Sequence, residues 1–410
     1  MGRTAIYMVM ALTAMFLFFG KTMNDSGTDA LSNAIDYYEH TQVYNIAAAG
    51  ANLACNQIFL NNTWRTGFSN VVMNGGTFFV SIDSTTDPGK LIILSTGFYQ
   101  ADSHRVKIIL NPSSISKFAM YSGNVSAAAK LRSGDTINGP IHFNNKLVTS
   151  GNPVFMDKAT MGTLQTTAGT PSFLGGYQTG VNITFPSYTA SANAIVAAAS
   201  AAGGTNDYQV GGDMYLRFSV VGGVTKVEYK TNPAAVWGAP VDLATFAPTG
   251  NIAMVNGAVH VEGTIKGQVT ITSTVNPSTT IPSATVGATY IENNIRYNTD
   301  PLITPSSTDM LGLVSAGDIK INTIPIRMDG SFFTNTSTSL GGSLNNTNPA
   351  KQLKIVGSLI TKDIGPTDFG TGASKGANLY MKYDTRLNDN PPANFPFPST
   401  NSFEVLSWFE

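Results

Sequence analysis

An uncharged run opens this chain. Ala5 to Phe19 reads AIYMVMALTAMFLFF, bracketed by Arg3 and Lys21. Its bulk comes from Ile6, Tyr7, Met8, Val9, Met10, Leu12, Met15, Phe16, Leu17, Phe18 and Phe19, with Ala5 at its head. Such a stretch must be solvated by lipid or by other apolar surface, because water gains nothing from it. Thr4 to Gly20 gives about 25 Å of helix, at the short limit for a bilayer's hydrocarbon core. The free amine and Arg3 favour a cytoplasmic N-terminus with the remainder outside. A cleaved secretory signal is the competing reading. No small-x-small site follows Phe19 closely, the next residues being Gly20, Lys21, Thr22 and Met23, so a retained anchor is expected.

A second rod follows a polar joint. Asn24 to Asp29 reads NDSGTD, and from Ala30 to about Asn61 the apolar residues recur at helical spacing. Stepping 100° per residue from Ile35 puts Leu31, Tyr38, Ile46, Ala49, Gly50, Leu53 and Leu60 within about 60° of it, one stripe, of which Leu31, Ile35, Tyr38, Ile46, Gly50 and Leu53 are the candidate packing residues. Asn33, Asp36, Asn45, Asn52 and Asn56 lie off it. The run Ala47-Ala48-Ala49-Gly50-Ala51 makes one side thin enough for another helix to approach, so Gly50 is expected to serve packing between copies more than folding. Packing of the same helix on its own β domain is the plainer reading of the stripe. Ser26, Thr28 and Asp29 are N-cap candidates, and Gly20 and Gly27 weaken continuity, so a joint is expected at 20–29.

The length of 410 residues exceeds the usual single core. Charged residues are 12% of the chain against the roughly 25% of ordinary soluble domains. With 42% hydrophobic and 10% aromatic residues this is not disorder. Ser, Thr, Asn and 40 glycines are expected on the surface that Lys and Glu normally occupy, the texture of a secreted β-rich protein. A net charge of -1 leaves no basic footprint for nucleic acid. Cys55, the only cysteine, excludes an intrachain disulfide; it reads as a small buried apolar residue, with an intersubunit bridge as the alternative.

Behind the helix, Thr77–Asp83, Lys90–Gln100 and His104–Leu110 read as strands separated by turn chemistry at 84–89 and 101–103. Three sequential strands beside a helix predict an antiparallel meander covered by the helix's C-terminal half. From Asn111 the texture changes to short β runs punctuated by Gly and Asn. Asn138-Gly139-Pro140-Ile141-His142-Phe143 is echoed by Asn256-Gly257-Ala258-Val259-His260-Val261. Further runs at Gln268–Ile271, Asp318–Ile321 and Leu353–Ile360 suggest a solenoid-like or stacked β layer of irregular period. Tyr188–Gly203 is Ala-rich and predicts a helix. A Pro-rich turn over Pro391–Pro398 precedes a last strand, Phe403–Phe409, apolar on both faces and therefore expected to be interior or well covered. The expected fold is α+β, with a helix at 1–64, a meander at 65–112 and a β-rich outer domain at 113–410.

Catalytic signatures are thin. His40, His104, His142 and His260 show no i, i+4 pairing and no HExxH. The two echoed histidines, His142 and His260, could meet if their segments stack, giving a metal or pH-sensitive pair; structural imidazoles are the plainer expectation. Asp300, Asp309, Asp318 and Asp329 read as solvated loop acids, with calcium binding or catalysis as minor alternatives. No nucleophile elbow, phosphate loop or dinucleotide fingerprint appears, so no catalytic residue, cofactor or metal ligand is assigned.

The layout resembles the type IV pilin-like superfamily, and most closely the large minor-pilin-like proteins of bacterial type IV pilus systems. The resemblance is carried by the apolar N-terminal helix and by Tyr44-Asn45-Ile46-Ala47-Ala48-Ala49-Gly50-Ala51-Asn52. It extends to Gly134-Asp135-Thr136-Ile137-Asn138-Gly139-Pro140-Ile141-His142, and to the terminus with Tyr383, Asp384, Arg386, Pro391-Pro392 and Trp408. It departs in two ways: family members carry a glutamate fifth in the mature chain, where processing after Gly2 would place Tyr7, and the leader would be only Met1-Gly2, with no basic n-region of its own. The resemblance implies an inner-membrane subunit extracted by a type IV pilus-type assembly machinery into a homo-oligomeric helical filament. Its core would be the bundled N-terminal helices, and the joint at 20–27 could be extended there. The β domains would be displayed at the cell surface, where an adhesive or protective role and a surface or glycan ligand are possible. A membrane-anchored β-helix enzyme acting on polysaccharide and an anchored envelope protein that never polymerises are the alternative classes.

Overall fold

The computed structural model describes residues 2–61, 63–86, 90–112, 115–125, 130–275, 286–321, 327–339, 352–364, 378–396 and 403–409. The chain divides into two compact units, Met1–Pro112 with Asn401–Glu410, and Ser113–Thr400. The fold is α+β, as expected: one long N-terminal helix, an antiparallel sheet and a large β-rich body.

In the first unit α1 (Gly2–Leu60) runs without a break. The expected joint is therefore corrected. NDSGTD contains no proline, and the Thr28 hydroxyl, expected as a cap, donates back to the carbonyls of Asn24 and Asp25 at 3.1 and 2.8 Å. Two glycines cost a helix about 2 kcal/mol, less than surrendering its hydrogen-bond ladder across two turns. Against α1 lie β1 (Phe68–Met73), β2 (Gly76–Asp83), β3 (Leu91–Tyr99) and β4 (Asp102–Pro112), an antiparallel sheet in sequence order. β2 to β4 fall within two residues of the expected strands. β1 escaped prediction because its alternation is broken by a register shift between Phe68 and Val71, with Asn70 at φ 50°. It joins β2 through Asn74-Gly75, both at positive φ, the backbone that matches a tight hairpin's twist. In the next turn Asp83 accepts the amides of Thr85 and Thr86; residues 87–89 of that expected turn lie outside the described residues, as do 397–398 of the Pro-rich segment.

The last strand, Phe403–Phe409, pairs antiparallel with β4 and forms the edge of this same sheet. The expected interior position is corrected: Val405, Leu406 and Phe409 are exposed by 56%, 46% and 52%. A register shift between Val405 and Ser407 breaks the alternation that would bury one face.

The second unit is a parallel β-solenoid, and its chain path is out of sequence order. One ladder of paired residues crosses it whole: Tyr208, Ala253, Thr272, Val314, Phe333, Ile360, Tyr121, His142, Thr160 and Gln178. A second runs Phe218, Gly263, Ile295, Met328, Ile355, Met381, Ile137, Phe155 and Phe173. The chain thus enters mid-stack at Tyr121 and winds out to Gln178. It crosses to the opposite end at Tyr208, then winds back until Ile360 pairs with Tyr121. Later coils on the outward leg repeat at 18 residues, as His142↔Thr160 and Val154↔Ser172 show, after a first step of 21 from Tyr121 to His142; on the return leg the spacing varies more widely, which hides the period. The Asn-Gly-x-x-His echo does not mark equivalent positions, since His142 stands on the first ladder and His260 pairs with Tyr215 and Tyr290.

The crossing segment covers one flank of the stack. It contains α2 (Thr189–Ala201), close to the expected 188–203, whose Ile195 and Ala199 are buried with Tyr121, Ala253, Val314, Phe333 and Ile360. Asn144 clamps the segment: its Oδ1 accepts the Ile183 amide at 2.7 Å and its Nδ2 donates to the Ile183 carbonyl at 2.5 Å, where the Tyr121 hydroxyl also donates at 2.6 Å.

Hydroxyl residues, expected on the surface, also form an interior column: Ser273, Ser315, Thr334, Thr361 and Ser122 pair in succession and are buried. Ser273, Ser315 and Thr334 donate to the carbonyls of Gly257, Gly287 and Gly317 at 3.0, 2.8 and 2.6 Å. Each short side chain gives a backbone carbonyl at the coil's turn a side-chain donor, which for Gly257 and Gly287 adds to the amides of Gly287 and Gly317 from the next coil.

Candidate functional site

Two features present chemistry to the outside: the N-terminal half of α1 and a groove on the solenoid. Along α1 burial changes with position. Val43, Ile46, Ala47, Gly50, Ala51, Ala54 and Ile58 are buried on the sheet, whereas Ala5 to Phe19 is bare, from 48% exposed at Leu12 to 71% at Leu17. Thr13 and Thr22 donate to the carbonyls of Val9 and Phe18, so these hydroxyls are satisfied within the helix, which a lipid environment demands. Among the described residues this is the one helix long and apolar enough to cross a membrane, with a mean hydropathy of 1.6 in its best window.

Of the expected packing stripe, Ile46 and Gly50 are buried, while Leu31, Ile35, Tyr38 and Leu53 are exposed by 63%, 49%, 55% and 43%. The sheet meets the small-residue face instead of the bulky one. A Cβ on Gly50 would lie 2.6 Å from Ser95 Oγ and 2.8 Å from Phe78, and one on Gly97 would lie 2.6 Å from the Val43 carbonyl. Ser95 donates to the Ala47 carbonyl at 2.7 Å across the same contact. Gly50 therefore serves the fold of its own unit, which corrects its expected role between copies. Cys55 is half-buried, and burial pushes its thiol up.

The groove flanks the strands Tyr208–Val221, Asn251–Ile265 and Thr289–Tyr297. Their register stacks Tyr215 on His260 at 3.9 Å and His260 on Tyr290 at 4.5 Å between ring centres. A hairpin strand, Val224–Lys230, pairs with Tyr208–Val221, and the loop after it brings Trp237 against the Arg217 guanidinium at 4.2 Å and the Lys230 ammonium at 4.6 Å. Arg217 Nε donates to Glu262 at 2.8 Å, and His260 Nδ1 is bonded to Glu292. Opposite Val261 to Gly263 the third strand runs from Ile291 to Ile295, a bulge that turns Glu292, Asn293 and Asn294 towards the groove. The hollow beside Trp237 measures about 440 Å³, and one beyond it, sharing Arg217 and Glu262, about 550 Å³. None of these residues was marked in the sequence except His260, because the ladder joins segments up to 45 residues apart.

The remaining candidates are structural. His142 and His260 stand on different ladders and form no pair. Burial holds the His142 imidazole below its usual range, and Asn144, fixed by the Ile183 backbone, accepts from Nε2 at 2.7 Å. Nδ1 then accepts from the Thr160 hydroxyl at 2.8 Å, so His142 braces the clamp. His40 meets Asp102 at 2.9 Å on the first unit's surface. The four aspartates are neither one cluster nor simply solvated. Asp309 is buried and accepts the amides of Gly267 and Thr299, both at 2.8 Å. Arg327 bridges Asp300 and buried Asp329, and Asp318 accepts from Thr336. Among the described residues no three His, Cys, Asp or Glu converge as a metal site.

No known protein family and no curated protein matches the chain. Among solved structures it is similar to the competence-associated pilin ComZ from Thermus thermophilus. The identity is 12%, over 91% of this chain and 97% of that one, with a TM-score of 0.34. At that score nothing follows for this chain's function.

Proposed function

We propose that the chain is a non-enzymatic structural subunit of an extracellular pilus-like filament, held in the bacterial inner membrane before a type IV pilus-type machinery assembles it. The observation that carries this reading is the division of α1. Its C-terminal half is anchored by its own sheet, while the apolar stretch from Ala5 to Phe19 is exposed and has no partner among the described residues of its unit. In a bilayer that half is covered by lipid; outside it exposes apolar surface costing about 25 cal/mol per Å² until identical helices cover it. A head-to-tail helical contact that does not close on itself makes a fibre. The same rod serves a major subunit or a minor, tip-located one, and the solenoid is the displayed, adhesive body.

The test is Leu12→Lys, at the middle of the Ala5–Phe19 run. A charge at mid-membrane costs about 2.5–3.5 kcal/mol on insertion scales, and in a filament it would sit among apolar neighbours. Sheared surface fractions viewed by negative stain should contain wild-type filaments and none from the variant, while circular dichroism of the two chains stays the same. Filaments in equal yield, or a wild-type chain found only as a lone membrane tether, would remove the proposal.

An enzymatic reading has one feature in its favour, two carboxylates, Glu262 and Glu292, lining one groove. Glycoside hydrolysis needs one carboxyl kept protonated in an apolar setting. Here Glu262 is bonded to a guanidinium and Glu292 to an imidazole, so both are committed acceptors.

A further inference from the structure

The groove beside Trp237 uses none of the residues that filament assembly needs. We infer that it is a binding site for a neutral oligosaccharide. The inference deepens the display role proposed above, and rests on that role only for its biological use.

Shape comes first. Two hollows of about 440 and 550 Å³ share Arg217 and Glu262, so they adjoin along the surface as one elongated channel. An extended polymer fits such a channel better than a compact metabolite does.

The lining supplies the chemistry. Donors and acceptors are mixed: Arg217, Lys230 and Arg296 donate, Glu262 and Glu292 accept, and Asn293 and Asn294 add side-chain amides, the Asn294 oxygen being held by the Arg327 amide at 2.8 Å. A sugar hydroxyl donates and accepts at once, so it suits mixed neighbours. Two carboxylates offset two of the three cations, Arg217, Lys230 and Arg296, so the lining forms no concentrated positive patch of the kind that selects a phosphate or sulfate. Trp237, whose ring already carries the Arg217 guanidinium and the Lys230 ammonium, adds an aromatic edge to this lining, as ligand sites combine aromatic side chains with a few placed polar groups.

Preorganisation is the third argument. Arg217 holds Trp237 from below and is itself held by Glu262; one of its five donors is spent there. The loop carrying Trp237 is tied by Asn232 to the Ala235 amide at 2.8 Å and by the Gly238 amide to the Tyr229 carbonyl at 3.0 Å. His260, stacked between two tyrosines, fixes Glu292. Side chains already immobilised lose little entropy on binding. The bulge at Glu292–Asn294 has no counterpart in the pairing of the first two strands across the same stretch, which runs in register from Gly212 to Phe218. It aims three polar side chains into the channel.

The experiment uses the full-length chain in lauryldimethylamine oxide, a detergent with no sugar headgroup. The chain is applied to a printed array of neutral and acidic glycans, then titrated calorimetrically with neutral tetrasaccharides of linked glucose or N-acetylglucosamine and with a single-stranded DNA 12-mer. Neutral glycans should bind with little salt dependence, and Trp237→Ala and Glu262→Gln should each weaken binding by about tenfold or more. Asn293→Ala sits on a different strand from the hairpin, and its loss of affinity decides the matter if Trp237→Ala perturbs the loop. The inference is overturned if only acidic glycans or DNA bind, if no neutral glycan binds at about 10 mM, if all three variants bind as wild type, or if reducing ends are released. Filament yield of Trp237→Ala is scored in parallel and should equal wild type, so a failed binding assay and a failed assembly assay remain separate results.

Discussion

The helix-and-sheet unit and the solenoid solve opposite problems of chain order. In the first, β1 to β4 pair with their sequence neighbours, and only the final strand arrives from afar. In the second, Met120 pairs with Leu359 and Ile137 with Met381, so the stack is complete only once its last coils return to its first. The contrast teaches that one unit can form as it emerges, whereas the other must hold an unpaired coil open until more than two hundred residues have followed. Loop closure on that scale precedes its reward, the condition that slows folding. Two separable thermal transitions are expected.

The largest lever on that comparison is Phe333→Ala. Phe333 is fully buried between Val314 and Ile360, under Phe185 and beside Phe395. Its loss should destabilise the solenoid by about 4 kcal/mol and move only one transition in calorimetry; a shift of both by the same amount would mean one cooperative body. Gly50→Leu attacks the other unit. The new side chain enters space held by Ser95 and Phe78, and about 3 kcal/mol of overpacking should lower the first unit's transition alone. An unchanged transition would show that α1 docks otherwise.

Smaller is the effect of Asn144→Ala, which leaves the Ile183 amide and carbonyl short of a partner. About 2 kcal/mol is expected, read as faster hydrogen exchange at Ile183; unaltered protection there would dismiss the clamp. The smallest effect is with pH. Burial pushes Asp135 of the solenoid up to about 6, although the amides of Leu379 and Arg132 oppose the shift. A carboxyl raised on folding takes up its proton in the folded state first, so this group adds stability as pH falls from about 7 towards 4 and withdraws it as pH rises through 6. In the first unit, the bond to His40 and the Ser103 amide hold Asp102 below its ordinary range, so its stability is present above pH 4 and fades only below. As pH falls from 6 to 4 the solenoid's transition should therefore rise relative to that of Asp135→Asn, while the first unit's is unmoved by Asp102; the same slope with and without Asp135 would remove the assignment.

Much of the first unit could be read from residues. Three of its strands and the helix's C-terminal half announce themselves through local alternation and 3.6-residue spacing, both short-range signals. Capping residues and glycines at 20–29 read as breaks, yet the helix's own hydrogen-bond ladder and back-bonding by Thr28 carry it through. Leu31, Ile35 and Tyr38 share the stripe's angle, but burial goes to Ala47, Ala51 and Ala54, where a sheet can approach closely. In the solenoid α2 was legible from its alanines. The groove was not, since its walls are assembled from register between distant strands and from a bulge that has no signature in composition.

By itself the sequence determined the bare apolar segment, the helical period behind it, the meander's strands and the β texture of the body, because each depends on neighbours within about ten residues. Only the tertiary structure decided that Phe403–Phe409 closes the first sheet, that the solenoid begins mid-stack and that Arg217, Glu262 and Trp237 meet. Pairing across a parallel stack is set by which segments can bury one another, and that competition is settled between residues far apart in the chain.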